Sequence, residues 1–160
     1  MNRIEQILHS LSSTIKKEDV FLRYYQEEGL TLALVKNHPG PGENVLGLAK
    51  VNHDVVFKKD KTGKSLRPDQ FSRKLGATIA IGRVLSEKPS NKFYLKTWNL
   101  YNEWGRPSWH IVIAELAEQL ESQASSNNGM KDRDLVRVVG NILSDYEELR
   151  ATRDAKSLVE

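Results

Sequence analysis

Apolar residues recur at helical spacing at the start of the chain, give way to short strand-like runs, and return to helical spacing through the second half. That order constrains the fold more than any other feature. A parallel α/β sheet needs strands and helices to alternate, whereas a helix, then strands, then several helices points to an α+β arrangement. The expected fold is therefore α+β, with a small antiparallel sheet of three to four strands packed against several helices. The 160 residues suit a single domain over 1–160, and a domain of that size buries a core without disulfides or structural metals.

Ile4, Ile7, Leu8, Leu11 and Ile15 fall at spacings of three and four, the period of an amphipathic helix over 3–15. A polar break, Lys16 to Asp19, separates it from Val20-Phe21-Leu22-Arg23-Tyr24-Tyr25, a run rich in aromatic and branched residues that reads as a strand. Glu27-Glu28-Gly29 signals a turn, and Leu30 to Val35, nearly all apolar, is expected to pair back as an antiparallel hairpin. His38-Pro39-Gly40-Pro41-Gly42 is a loop, because proline and glycine interrupt helix and sheet alike. Val45 to Val51 reads as a third strand, and Asp54 to Phe57 extends it or begins a fourth.

Beyond an exposed basic loop over 58–67, Pro68-Asp69 opens a helix running through Phe71, Leu75, Ile79 and Leu85 to about Lys88, where Pro89 stops it. An aromatic stretch follows, with Phe93, Tyr94, Trp98, Tyr101, Trp104 and Trp109 close together and Gly105-Arg106-Pro107-Ser108 as a turn within it. From Ser108 a helix is expected with Trp109, Val112, Ile113, Leu116 and Leu120 on one face. A polar linker over 123–131 leads to a last helix, in which Leu135, Val139, Ile142, Tyr146 and Leu149 alternate by four and three. That narrow seam closes the core or pairs two chains as a homodimer.

The absence of cysteine excludes disulfides, thiolate metal sites and cysteine nucleophiles. No apolar run is long enough to span a membrane, and the charged N-terminal residues lack the apolar region of a signal peptide, so a cytoplasmic location is expected. The formal net charge is only +3, but it is unevenly spread. Residues 1–49 carry 5 Lys/Arg against 6 Asp/Glu, residues 50–96 carry 12 against 4, and residues 97–160 carry 7 against 11. The basic middle suits a polyanion; equally, it suits neutralisation by the acidic C-terminal part, within one chain or between two.

Four constellations bear on chemistry. Gly63-Lys64-Ser65 has the end of a phosphate-binding loop, but Lys58 stands where the motif needs its first glycine. The histidines, His9, His38, His53 and His110, have no second ligand at metal-binding spacing, so neither a metal nor a cofactor is expected. An enzyme acting on nucleotides would instead need His53, Asp54 and Arg73 to converge in one pocket. Basic residues gather at Lys58, Lys59, Lys61, Lys64, Arg67, Arg73, Lys74 and Arg83, the last ten residues beyond Arg73 on one helix and able to flank an anion-binding groove. In the aromatic stretch, Trp98, Tyr101 and Trp104 lie between Lys96 and Arg106, a pattern that suits stacking on single-stranded nucleic acid but equally suits core or interface packing. Gly76 and Gly82 inside a helix each cost about 1 kcal/mol relative to alanine, which points to close approach by a neighbour.

Asp69, Phe71, Ser72, Arg73, Lys74, Gly76, Ile79, Ala80, Gly82 and Arg83 form a pattern that resembles a segment of small bacteriophage proteins. The resemblance covers the one helix and departs from that pattern at Ala77, where an arginine is expected. It implies a phage-type accessory protein, located in the host cytoplasm, that inhibits or diverts host machinery or host defence by binding. The expected activity is thus non-catalytic binding of an anionic partner, nucleic acid first. The acidic face of a host protein, a small nucleotide messenger, self-association and a nucleotide-acting enzyme remain as alternatives.

Overall fold

The computed structural model describes residues 2–50, 72–87, 91–126 and 133–159. The elements run α1 (Arg3–Ser10), a short 3-10 turn (Lys17–Asp19), β1 (Val20–Tyr25), β2 (Leu30–Lys36), β3 (Asn44–Lys50), α2 (Arg73–Leu85), β4 (Lys92–Leu95), α3 (Trp109–Ser126) and α4 (Arg133–Val159). The strands form one sheet in the order β1-β2-β3-β4. β1 pairs antiparallel with β2, setting Val20 opposite Val35 and Tyr25 opposite Leu30. β2 pairs antiparallel with β3, setting Leu30 opposite Lys50 and Lys36 opposite Asn44. The fold is a small α+β arrangement of an antiparallel sheet packed against helices, as the order of apolar patterns predicts. The chain divides into two compact units, Met1–Tyr94 and Leu95–Glu160.

In the first unit, alternation along the strands separates two sets of side chains. Ala33 and Val35 of β2, Val45 and Ala49 of β3 and Val20 of β1 join Ile7 and Leu8 of α1 and Ala77, Ala80, Ile81 and Val84 of α2 in one buried cluster. Leu30, Leu32 and Leu34 of β2 and Leu46 and Leu48 of β3 project from the other face and are buried too. A central strand buried on both faces explains why Leu30–Val35 is apolar nearly throughout instead of alternating.

The helix α1 ends at Ser10, five residues short of the expected 3–15. Its N-cap is Asn2, whose side chain accepts the Glu5 N–H at 2.8 Å, the usual way a first-turn donor is satisfied. The helix α2 also begins later than Asp69, after Ser72, which caps it by accepting the Leu75 N–H at 3.2 Å.

The sequence line through Leu75 and Ile79 is not the buried face of α2. Leu75 is 59% exposed and Ile79 37%, while Ala77, Ala80, Ile81 and Val84 face the sheet. The reason is the close approach of helix and sheet. A Cβ at Gly47 of β3 would stand 2.8 Å from Val84 Cγ2 and nearer still to the Ala80 carbonyl oxygen. A Cβ at Gly76 would stand 3.1 Å from Thr31 Cβ, with the Thr31 hydroxyl nearer. The contact is closest at Gly47 and Gly76, where no side chain fits, and the face it selects carries Ala77 and Ala80 inward and leaves Leu75 and Ile79 out. Close packing thus accounts for Gly76, whereas nothing among the described residues lies within 4 Å of a Cβ placed at Gly82.

In the second unit α3 packs on α4. Val112, Ile113, Leu116 and Leu120 of α3 are buried, as are Leu135, Val138, Val139 and Ile142 of α4. The His110 and Tyr146 rings approach to 6.3 Å between centroids. β4 is a strand that aromatic content alone did not reveal; Phe93 and Leu95 are buried and Tyr94 between them is exposed.

Candidate functional site

Of the expected cationic residues, Lys58, Lys59, Lys61, Lys64 and Arg67 lie outside the described residues, as do His53 and Asp54 of the enzymatic alternative. Arg73, Lys74 and Arg83 are described, and they differ in use. Arg83 donates to the carbonyl of Leu48 and so ties the last turn of α2 to β3. Arg73 and Lys74 occupy the first turn of α2, both exposed, and that turn contains no acidic residue. The Arg73 guanidinium sits 5.1 Å from the centre of the Tyr24 ring, a cation–π contact that steadies it. Cations in a first turn add to the positive end of the helix dipole, where an anion is the favoured neighbour. No acidic side chain among the described residues pairs with either of them.

A second surface is the loop 96–108, between β4 and α3. Its base is pinned by one carboxylate. Glu115 of α3, 9% exposed, accepts the Lys96 N–H at 2.9 and 2.8 Å on its two oxygens and the Thr97 N–H at 2.7 Å. The Thr97 hydroxyl and the Gln119 side-chain amide, at 2.7 Å, donate to it as well. Burial alone would raise the Glu115 pKa, but the Thr97, Lys96 and Gln119 donors stabilise the ionised form and hold it below the ordinary 4.5.

The rest of the loop closes on itself as a miniature hairpin. Tyr101 bridges Pro107, and the Ser108 N–H donates to the Leu100 carbonyl at 2.7 Å. The Asn102 N–H donates to Arg106 O at 2.8 Å, and the Gly105 N–H to Asn102 O at 3.0 Å. The Asn102 side-chain oxygen accepts the N–H groups of Trp104 and Arg106, each at 3.0 Å, the local turn chemistry that asparagine supplies. Gly105 has φ 76°, a conformation that glycine adopts without strain.

This framework leaves Trp98 92% exposed and Trp104 77% exposed, while Leu100 between them in sequence is buried. Tyr101, the third expected stacking residue, is half-buried at the base of the hairpin. Sequence alone could not separate these aromatics from the core, because an indole on a rigid loop and an indole in a core look alike in the chain. Glu115 was missed entirely; one glutamate among the polar positions of α3 carries no mark of its partners.

Of the expected oligomer seam, Leu135, Val139 and Ile142 are buried, Tyr146 is half-buried and Leu149 is 62% exposed. In the hairpin between β2 and β3, His38 is half-buried near Lys92 and Glu43; burial first and then the Lys92 charge lower its pKa from the ordinary 6.5, against the opposing pull of Glu43.

Among the described residues no group of three His, Asp or Glu is placed to hold a metal ion, and no helix is long and apolar enough to cross a membrane. No family model, no curated protein and no solved structure matches this chain.

Proposed function

We propose that this chain is a non-catalytic binding protein whose partner is anionic, with nucleic acid the partner its charge favours. The observation that carries the reading is the first turn of α2, where exposed Arg73 and Lys74 reinforce the positive helix end and that turn itself holds no acidic residue. Like charge at a helix end costs about 0.3–1 kcal/mol per residue in the free protein, and an anion would convert that cost into attraction. The surrounding segment 50–96, with 12 Lys/Arg against 4 Asp/Glu, extends the same charge along the chain. Many spread cations suit a polymer of phosphates better than one small anion. The likeness of 69–83 to a segment of bacteriophage proteins supports an accessory role in which such binding diverts host machinery or host defence.

The test is association with labelled single-stranded and duplex DNA and RNA across a salt series. Affinity should fall steeply with salt, by a slope of about 0.9 per duplex phosphate contacted. The double substitution Arg73→Glu with Lys74→Glu should weaken binding of every nucleic acid and reduce that slope. Absence of binding at low salt would refute the reading.

A further inference from the structure

We propose that the 96–108 loop is a base-stacking platform for single-stranded nucleic acid, with Trp98 and Trp104 as its stacking faces and Lys96 and Arg106 as its phosphate contacts. The inference rests on the anion-binding reading and names the strand state that the protein selects.

Tryptophan is a costly residue to leave in water, and scattered exposure of one is unremarkable. Here two stand out from a single short loop, 92% and 77% exposed. Their exposure is not the by-product of a loose segment. The backbone under Trp98 is fixed by Glu115, which accepts both the Lys96 and Thr97 N–H groups. The backbone at Trp104 is fixed by Asn102 and by the Tyr101–Pro107 bridge. Binding to such a loop therefore loses little entropy to ordering its backbone, which is the advantage of preorganisation.

The chemistry around the indoles selects the partner. Lys96 lies two positions before Trp98 and Arg106 two positions after Trp104, both exposed, and Glu103 is the loop's one acidic residue. Aromatic faces interleaved with cations are what a single strand requires, since each base offers a π-face and each linkage a negative phosphate. A protein contact of comparable strength would centre its tryptophans in a patch that buries apolar neighbours. The exposed neighbours here are polar or charged, namely Asn99, Asn102, Glu103 and Arg106, and Leu100 is already buried. Duplex bases are stacked on one another and closed to an indole, so the platform discriminates by strand state.

The experiment is fluorescence anisotropy of the full chain with a labelled single-stranded oligothymidylate and with a labelled duplex of the same length. The variants are Trp98→Ala, Trp104→Ala and the corresponding phenylalanine substitutions. Both indoles are largely exposed, so the variants should keep the fold, which circular dichroism checks. Each alanine should weaken single-strand binding by about 5- to 100-fold, with phenylalanine restoring much of it and duplex binding unchanged. Single-strand binding that survives both alanine substitutions would overturn the platform while leaving the anion-binding reading intact. Binding of neither nucleic acid at low salt would overturn both. Loss of duplex and single-strand binding in equal measure would also overturn the platform, by showing that the tryptophans do not read strand state.

Discussion

Replacing Gly47 with alanine adds a single methyl group, and the structure says where it must go. It would stand 2.8 Å from Val84 Cγ2, closer still to the Ala80 carbonyl oxygen, and 3.1 Å from the Ala80 carbonyl carbon. Carbon–carbon contacts are most favourable at about 3.5–4.0 Å, so α2 would have to retreat from the sheet by roughly 1 Å. A helix backbone cannot swing aside as a flexible side chain can, and Ala77, Ala80, Ile81 and Val84 would all loosen with it. Overpacking of a core costs about 1–3 kcal/mol, and Gly47→Ala should lie at the upper end. At about 2–4 °C per kcal/mol for a chain of this size, the melting temperature should fall by roughly 6–12 °C. The same change at Gly82 meets nothing among the described residues within 4 Å, and gains about 1 kcal/mol of helix propensity. Gly76→Ala falls between, since its obstacle is the Thr31 side chain. Urea unfolding followed by far-UV circular dichroism should rank the variants Gly82→Ala above wild type, then Gly76→Ala, then Gly47→Ala. A neutral Gly47→Ala, or a Gly82→Ala less stable than wild type, would refute the close-packing argument.

Glu115→Gln places an amide donor against backbone donors, which should destabilise the second unit by about 1–3 kcal/mol and speed hydrogen exchange at Lys96 and Thr97. Because the folded Glu115 pKa lies below 4.5, its stabilisation is complete above the unfolded value and is lost as pH falls through the folded one; an acid titration of stability should therefore be shallower in Glu115→Gln below about pH 4.5. His38 also has a lowered folded pKa, so its contribution is complete above 6.5 and declines as pH falls below that value; His38→Gln should flatten stability against pH in this window, and an unchanged profile would refute the placement. In α4, Ile142→Ala should cost about 2–5 kcal/mol, while Leu149→Ala should stay within about 0.5 kcal/mol, as thermal unfolding of the two variants would show.

The periods of apolar residues were enough to order the elements, because burial on one face writes itself into spacing. Val20–Tyr25, Leu30–Val35 and Val45–Lys50 were legible as strands, and Val112, Ile113, Leu116 and Leu120 as the inner face of a helix. So was the punctuation at His38–Gly42, whereas the polar linker expected over 123–131 begins too early, because α3 continues through Ser126. Charge asymmetry was legible too, since it needs only counting. The inner face of α2 was not legible: it is set by the close approach of Ala80 and Val84 to Gly47 and of Gly76 to Thr31, residues of strands distant in sequence. Nor was the fate of the arginines, because Arg83 meets Leu48 across 35 residues of chain and Arg73 meets Tyr24, on a strand still farther away in sequence. The tryptophans show the division most clearly. Sequence placed Trp98 and Trp104 among polar and charged neighbours, but whether an indole points inward or out depends on where its backbone is held. For Trp98 that was decided by Glu115, a carboxylate from another element that accepts the Lys96 and Thr97 N–H groups, and for Trp104 by Asn102 and the Tyr101–Pro107 bridge.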